Sequence, residues 1–184
     1  MKILYQGVEV IISVIETLKP IPDISFDNTI GDFNNDYGQR HIIEQRDVTG
    51  LIKKTLIAND GSHVPLSIDS MLHKNDSIYF CSGKYVCKWH ITQAVLEWCI
   101  ELDFASCFTI QFLDNENSIL VSGELKLSKI DLNGNIKWQY SGSDIFVTQD
   151  GKFGAKVIED KIYITDWNNI LHILDFEGNL INCD

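Results

Sequence analysis

The chain has 184 residues, the length of one ordinary domain, and its 45% hydrophobic and 22% charged content supplies enough apolar material for a buried core, which excludes a disordered chain. Its 26 acidic against 15 basic residues give a formal net charge of −11. That field repels phosphate, so direct nucleic-acid binding is not expected; it favours solubility and attracts a basic partner. No stretch approaches the roughly 18 uninterrupted apolar residues of a membrane span, so no membrane association is expected either.

In chain order, the N-terminal apolar run is broken by Glu9 and Glu16 and lacks a small-x-small cleavage pattern, so it reads as strands at Lys2–Gln6 and Val8–Glu16 rather than as an export signal. A cytoplasmic protein is expected. Between Lys19 and Arg40 there is no basic residue, while Asp23, Asp27, Asp32 and Asp36 recur along a loop-like stretch that ends in Tyr37. A faint repeat unit follows, Arg40–Asp47 and then Thr49–Lys53.

Three clearer units come next. The first runs Asp76-Ser77-Ile78-Tyr79-Phe80, then Tyr85–His90, and ends at Val95–Trp98. The second runs Asn117-Ser118-Ile119-Leu120-Val121, then Lys126–Asp131, and ends at Asn135–Trp138. The third runs Asp160-Lys161-Ile162-Tyr163-Ile164, then Ile170–Asp175, and ends at Asn179–Ile181. The matching positions Asp47, His90, Asp131 and Asp175 lie 43, 41 and 44 residues apart. Repetition at such a period marks stacked supersecondary units.

Each unit reads as strand, turn, strand, tight turn, strand. Ile78-Tyr79-Phe80 and Ile162-Tyr163-Ile164-Thr165 are β-branched and aromatic, suited to a pleated surface. Asn133-Gly134-Asn135 and Glu177-Gly178-Asn179 are hairpin turns in which glycine supplies positive φ. Asp60-Gly61 and Asp150-Gly151 mark the connections between units. The three prolines all precede residue 66, leaving the later strands free to pair. Only 92–102 is ambiguous: Val95, Trp98, Cys99 and Leu102 have helical spacing, whereas the repeat register makes Val95–Trp98 a strand, and the register is followed.

The phrase Ile130-Asp131-Leu132-Asn133-Gly134-Asn135-Ile136-Lys137-Trp138 resembles a blade of the quinoprotein-like (PQQ-type) β-propellers, with the likeness extending over about residues 74 to 182 and poorly over 34 to 57. The resemblance implies an all-β, propeller-like array of about four antiparallel blades in a single domain, 1–184, with repeats near 20–57, 62–98, 103–138 and 146–182. It also implies that Trp98 and Trp138 pack between neighbouring blades; Lys54 and Ile181 or Asn182 stand at that position in the other two units. If the ring closes, one of the N-terminal strands would complete the last blade. A β-sandwich of the same hairpins is the alternative.

Catalytic and cofactor chemistry is not expected. His41, His63, His73, His90 and His172 form no HxH, HxxxH or HExxH pattern, and GxSxG, P-loop and GxGxxG motifs are absent. Asp131–Asn135 lacks the twelfth-position acid of a calcium loop and reads as a turn. The resemblance would bring a quinone and a calcium-binding carboxylate cluster, but no motif here assembles one, so neither cofactor nor metal is assigned. The five cysteines are odd in number and contain no CxxC, which suggests reduced, partly buried thiols.

What remains is acidity. No Lys or Arg lies between Lys88 and Lys126, against Glu97, Glu101, Asp103, Asp114, Glu116 and Glu124. Such segments suit a negative face with aromatic anchors, and Asp32, Asp36, Tyr37, Asp114, Glu116, Asp144, Asp166 and Trp167 are the candidate partner-binding residues; Trp167 could instead be a blade-packing residue. The expected function is a protein-binding module, in its concrete form an acidic bacterial immunity or inhibitor protein that blocks a basic toxin such as a nuclease. A propeller scaffold subunit of a larger complex and a small-ligand-binding propeller are the alternatives.

Overall fold

The computed structural model describes residues 1–15, 26–31, 38–61, 66–113, 115 and 117–183. Among them the chain forms seventeen strands in four sheets. The first blade holds β1 (Lys2–Tyr5), β2 (Val8–Ile15), β3 (Asn28–Gly31), β4 (Gln39–Arg46) and β5 (Ile52–Asn59), in the order β1-β2-β4-β5-β3 with β3 parallel to β5. The second holds β6 (Met71–Lys74), β7 (Ser77–Ser82), β8 (Tyr85–His90) and β9 (Val95–Glu101). The third holds β10 (Cys107–Leu113), β11 (Ser118–Gly123), β12 (Leu127–Asp131) and β13 (Ile136–Tyr140), and the fourth β14 (Lys156–Ile158), β15 (Lys161–Thr165), β16 (Leu171–Leu174) and β17 (Leu180–Cys183). Blades two to four are simple antiparallel meanders.

The core explains the residue choice. One cluster joins Val10, Ile12, Ile43 and Ile57 of blade one to Ile78, Phe80 and Trp89 of blade two. A second joins Tyr79, Cys81 and Val86 to Cys107, Ile119 and Val121, and a third joins Leu113, Leu120 and Leu127 to Phe146, Ile162 and Leu174. Successive residues of β7 therefore face different neighbours, so nearly the whole strand is buried, as is all of β11. A strand covered on both faces needs a continuous apolar run rather than alternation. Strand β15 does alternate, because among the described residues only one of its faces is covered. Among the described residues no cluster joins blade four to blade one, and no strand pairs across that gap.

The repeat spacing has a physical origin in the turn that follows each blade's third strand. Asp47 Oδ1 accepts the Thr49 and Leu51 N–H groups at 2.8 and 3.1 Å, Asp131 Oδ1 those of Asn133 and Asn135 at 2.9 Å each, and Asp175 Oδ1 that of Asn179 at 2.8 Å. In blade two, where His90 replaces the aspartate, Asp76 reaches across to the Thr92 N–H at 2.9 Å. A carboxylate that satisfies a turn's own N–H groups competes well with extended backbone at this point. Asp131 is thereby committed to its hairpin, as the sequence suggested.

Gly134 and Gly178, both at positive φ in these turns, also seat the tryptophan of the preceding blade. A Cβ on Gly134 would stand 3.2 Å from the Trp98 ring, and one on Gly178 2.5 Å from the Trp138 ring. Trp138 Nε1 donates to the Phe176 carbonyl at 2.9 Å. The expected packing of Trp98 and Trp138 between blades is thus observed.

Three features differ from, or sharpen, the sequence reading. The N-terminal strands do not complete the last blade: β1 and β2 are the first two strands of blade one, paired through β2 to β4 with Val10 opposite Gln45 and Ile12 opposite Ile43, so that sheet begins at Lys2. The alternating apolar face of Val8, Val10 and Ile12 packs directly on blade two, which local pattern alone cannot reveal. Residues 95–101 are strand β9, as the register required. The thiols are not all reduced: Cys87 and Cys99 oppose each other across β8 and β9, with Cα atoms 4.0 Å apart, and are joined as a disulfide. Strand register, not CxxC spacing, brings them together. Of the free cysteines, Cys81 and Cys107 are buried and Cys183 is exposed. Burial pushes the Cys81 thiol up to about 12 and also raises Cys107. In the native protein, a disulfide reagent is therefore expected to modify Cys183 quickly and Cys81 and Cys107 only on unfolding. Peptide mapping of the labelled protein checks this.

Candidate protein-binding rim

In blades two, three and four, the turns between the second and third strands lie at the same rim as the connections between blades, and backbone hydrogen bonds stitch them into one row. Lys84 N donates to Asp60 O at 3.0 Å, and Lys84 O accepts from Leu102 and Asp103 N. Glu124 N donates to Ser106 O at 2.8 Å, Phe146 N to Glu124 O at 2.6 Å, and Trp167 N to Ile145 O at 2.8 Å. The connections between blades two and three and between blades three and four thus tie the turn of the blade before them to that of the blade after, and Asp60 ties the first connection to the turn of blade two. The rim backbone is fixed without regular secondary structure.

Two buried aspartates organise this row. Asp103 Oδ1 accepts from Ala105 N at 2.8 Å, and its Oδ2 accepts from Leu125 and Lys126 N at 2.9 and 2.8 Å. Gly123 is required beside it, because a Cβ there would meet Asp103 Oδ2 at 2.3 Å. Asp166 Oδ1 accepts from Asn168 and Ile170 N, both at 3.0 Å, and its Oδ2 from Ser143 Oγ at 2.6 Å. His172 Nε2 lies 3.1 Å from the same Oδ2, while Tyr140 Oη lies 2.8 Å from His172 Nδ1. A donor role for Nε2–H and an acceptor role for Nδ1 satisfy both contacts. Burial opposes ionisation of Asp166, but the hydrogen bonds from Ser143, His172 and Ile170 outweigh it and hold the carboxyl below its usual value.

The residue after each of these aspartates is an aromatic thrown outward. Phe104 is 70% exposed, with Lys126 Nζ 4.1 Å from its ring centroid, and Trp167 is 43% exposed. Phe153, in the connection between blades three and four, is 49% exposed and lies 4.8 Å from the Phe108 ring. Carboxylates intersperse them. Lys84 Nζ sits 3.2 Å from Glu101 and 3.8 Å from Asp60, and chiefly the Glu101 hydrogen bond keeps this ammonium above its usual value. Asp144 Oδ2 accepts from Asn168 Nδ2 at 3.0 Å, beside Trp167. Asp150 pairs with Lys152 at 2.6 Å, and the Lys152 hydrogen bond is the main cause lowering its carboxyl to about 2.

Of the residues singled out from sequence, Asp144 and Trp167 come together on this rim. Asp166 requires correction as a contact residue: it has no exposed surface, and both its oxygens are occupied within the fold. Asp32, Asp36, Tyr37, Asp114 and Glu116 lie outside the described residues. Sequence reasoning missed Phe104 and Phe153. The available signal for Phe104 was the Asp-aromatic pair outside the strands, Asp103-Phe104 like Asp166-Trp167, in which a large apolar residue stands where solvent is expected; Phe153 follows Lys152 and carries no such signal.

At the opposite rim, an open groove of about 390 Å³ lies between blades three and four, lined by Asn117, Lys129, Lys137, Trp138 and Phe176. Lys129 Nζ donates to the Phe176 carbonyl at 3.0 Å, and Lys137 pairs with Asp131 at 2.9 Å. Among the described residues no group of three or more His, Cys, Asp or Glu side chains could hold a metal ion.

Four antiparallel sheets stacked face to face through alternating side chains, with tryptophans seated on the turn glycines of the next sheet, define a β-propeller-like array. Among solved structures, the chain is similar to BamB from Moraxella catarrhalis, at 13% identity over 90% of this chain and 53% of that one, with a TM-score of 0.49. It therefore spans about half the length of that protein. No protein-family model and no curated protein matches the chain.

Proposed function

We propose that this chain is a protein-binding scaffold and that the rim bearing Phe104, Phe153 and Trp167 docks a basic protein. The observation that supports this is the exposure of three large aromatic side chains along one row whose backbone is already fixed by hydrogen bonds. Preorganised aromatic anchors lose little freedom on docking, and such residues dominate interface energetics. The net charge of −11 favours a basic partner and speeds its encounter. In its finer form, the proposal is an acidic inhibitor, an immunity protein, that covers the basic cleft of a toxin such as a nuclease.

Affinity capture from the native host, followed by titration of the recovered partner at several salt concentrations, tests the reading. A basic partner whose association slows with salt is expected, and the F104A/W167A variant should bind it at least about 30-fold more weakly, as expected for losing hot-spot side chains. One-to-one binding supports the inhibitor, and recovery of several subunits supports a scaffold without inhibitory role. Unchanged binding by the variant contradicts the rim as the site. The groove beside Trp138 favours a second reading, small-ligand binding between aromatic and amide side chains. A sugar or other small ligand bound there would quench Trp138 fluorescence and leave binding at the rim intact.

A further inference from the structure

A buried carboxylate, a buried imidazole and an accessible thiol meet at one end of blade four. Strand register places Cys183 of β17 directly opposite His172 of β16, so both side chains leave the same face of the sheet. Cys183 Sγ lies 3.6 Å from His172 Nδ1, within hydrogen-bond reach of a sulfur. The far nitrogen, Nε2, lies 3.1 Å from Oδ2 of Asp166, which has no exposed surface. A thiol, a base and a carboxylate that orients the base therefore stand in line, the arrangement that activates a nucleophile.

The imidazole is held in that alignment by its surroundings. It is buried, its ring meets Phe146 edge-on at 5.8 Å, and Gly142 leaves it room, since a Cβ there would stand 3.2 Å from Nε2. With Nε2–H donated to Asp166, the Nδ1 lone pair faces two hydroxyl-type donors, Tyr140 Oη at 2.8 Å and Cys183 Sγ. Those two hydrogens compete for one acceptor. The Tyr140–His172–Asp166 chain ties blade three to blade four without the thiol. Cys183 itself sits on an edge strand whose four residues are all exposed, so packing gives it little to do. Cys81 and Cys107, by contrast, are buried and closed to a reagent in the folded chain.

We propose that Cys183 is a thiol–disulfide exchange site that takes low-molecular-weight disulfides, with His172 accepting its proton and Asp166 positioning the imidazole. The thiol passes its proton to Nδ1, and the thiolate attacks one sulfur of the small disulfide. A new S–S bond forms at Cys183, the old one breaks, and the leaving thiolate takes the proton back from His172. The products are a mixed disulfide on Cys183 and one free small thiol, so the incoming disulfide is itself the oxidant. A proton acceptor beside the thiol raises the thiolate fraction, and the lower basicity of that thiolate offsets part of the gain. The net acceleration is about three- to tenfold.

Hydroxyethyl disulfide is the probe, a neutral molecule whose approach the net charge of −11 does not oppose. Mass spectrometry of the Cys183 peptide after timed acid quenching reads the rate, and the same chain unfolded in urea supplies the reference. Folded Cys183 should react at least about threefold faster than unfolded Cys183, although unfolding improves access. His172→Gln should lose that advantage. Tyr140→Phe keeps the ring stacked on Phe146 and removes only the competing hydroxyl, so it should raise the folded rate at least about twofold further. Because it leaves the imidazole in place, this variant decides the question even where His172→Gln disturbs the blade. A folded chain that falls short of the threefold ratio overturns the proposal, since Cys183 is then merely exposed. An unchanged or lower rate in Tyr140→Phe, or an advantage retained in His172→Gln, overturns it as well.

Discussion

Replacing Gly178 with alanine is expected to lower stability by about 2–5 kcal/mol and to loosen the contact between blades three and four. Two costs combine. Gly178 has φ +85°, and a side chain in that left-handed region costs about 1–2 kcal/mol. The new Cβ would also lie 2.5 Å from the Trp138 ring, so the indole must move, losing packing and its hydrogen bond to Phe176 at about 1–3 kcal/mol. Gly50 provides the control. It occupies the corresponding turn of blade one at φ +85°, but a Cβ there meets nothing within 4 Å, so Gly50→Ala should cost only the conformational part, about 1–2 kcal/mol. Urea unfolding midpoints give both values, and the near-ultraviolet signal of Trp138 should change in Gly178→Ala alone. Equal losses at the two glycines would show that the tryptophan seat contributes nothing.

Asp166→Ala should be comparably damaging, about 3–5 kcal/mol, because it removes a fully buried carboxylate and leaves Ser143, His172 and two backbone N–H groups without their acceptor. The loss should fall on the rim: Trp167 is held by the same turn, so its emission should shift toward that of a mobile indole. Asp166 also predicts acid sensitivity. Its folded carboxyl is lowered relative to the unfolded chain, as are those of the turn residues Asp47 and Asp175. Unfolding then takes up protons at low pH. The stabilisation is complete above the unfolded carboxyl value near 4 and is lost as pH falls toward the lower folded values. The urea midpoint of the parent protein should be flat from about pH 5 to 7 and fall below about pH 4, with a shallower fall in Asp166→Asn. A parent curve that is already falling between pH 7 and 5 would contradict this assignment.

Much of the architecture is legible in the chain because it is local. A turn aspartate with a glycine three residues later marks the hairpins of blades one, three and four, and a tryptophan closes the units of blades two and three. The covered strands could be recognised by continuous apolar runs such as Ile78-Tyr79-Phe80-Cys81. The role of β1 and β2 was hidden because their partner β4 lies beyond a long insertion, and strand composition does not say which sheet a strand joins. The Cys87–Cys99 pair was hidden for a related reason: it depends on the register of β8 with β9. At the rim, Asp144 and Trp167 were recognised as an acid and an aromatic in loops. Asp166 was misread because the same acidic side chain can either face solvent or satisfy a turn from within, and only the positions of Ser143, His172 and the Asn168 and Ile170 N–H groups distinguish the two.

The most direct test of the central claim is hydrogen exchange of the chain alone and bound to its captured partner. Amides of 101–106, 143–149 and 166–169 should become protected together, with little change at the outward face of blade four, because those connections form one row around Phe104 and Trp167. Protection confined to the groove beside Trp138, with these three segments unchanged, would contradict the rim as the partner-binding site.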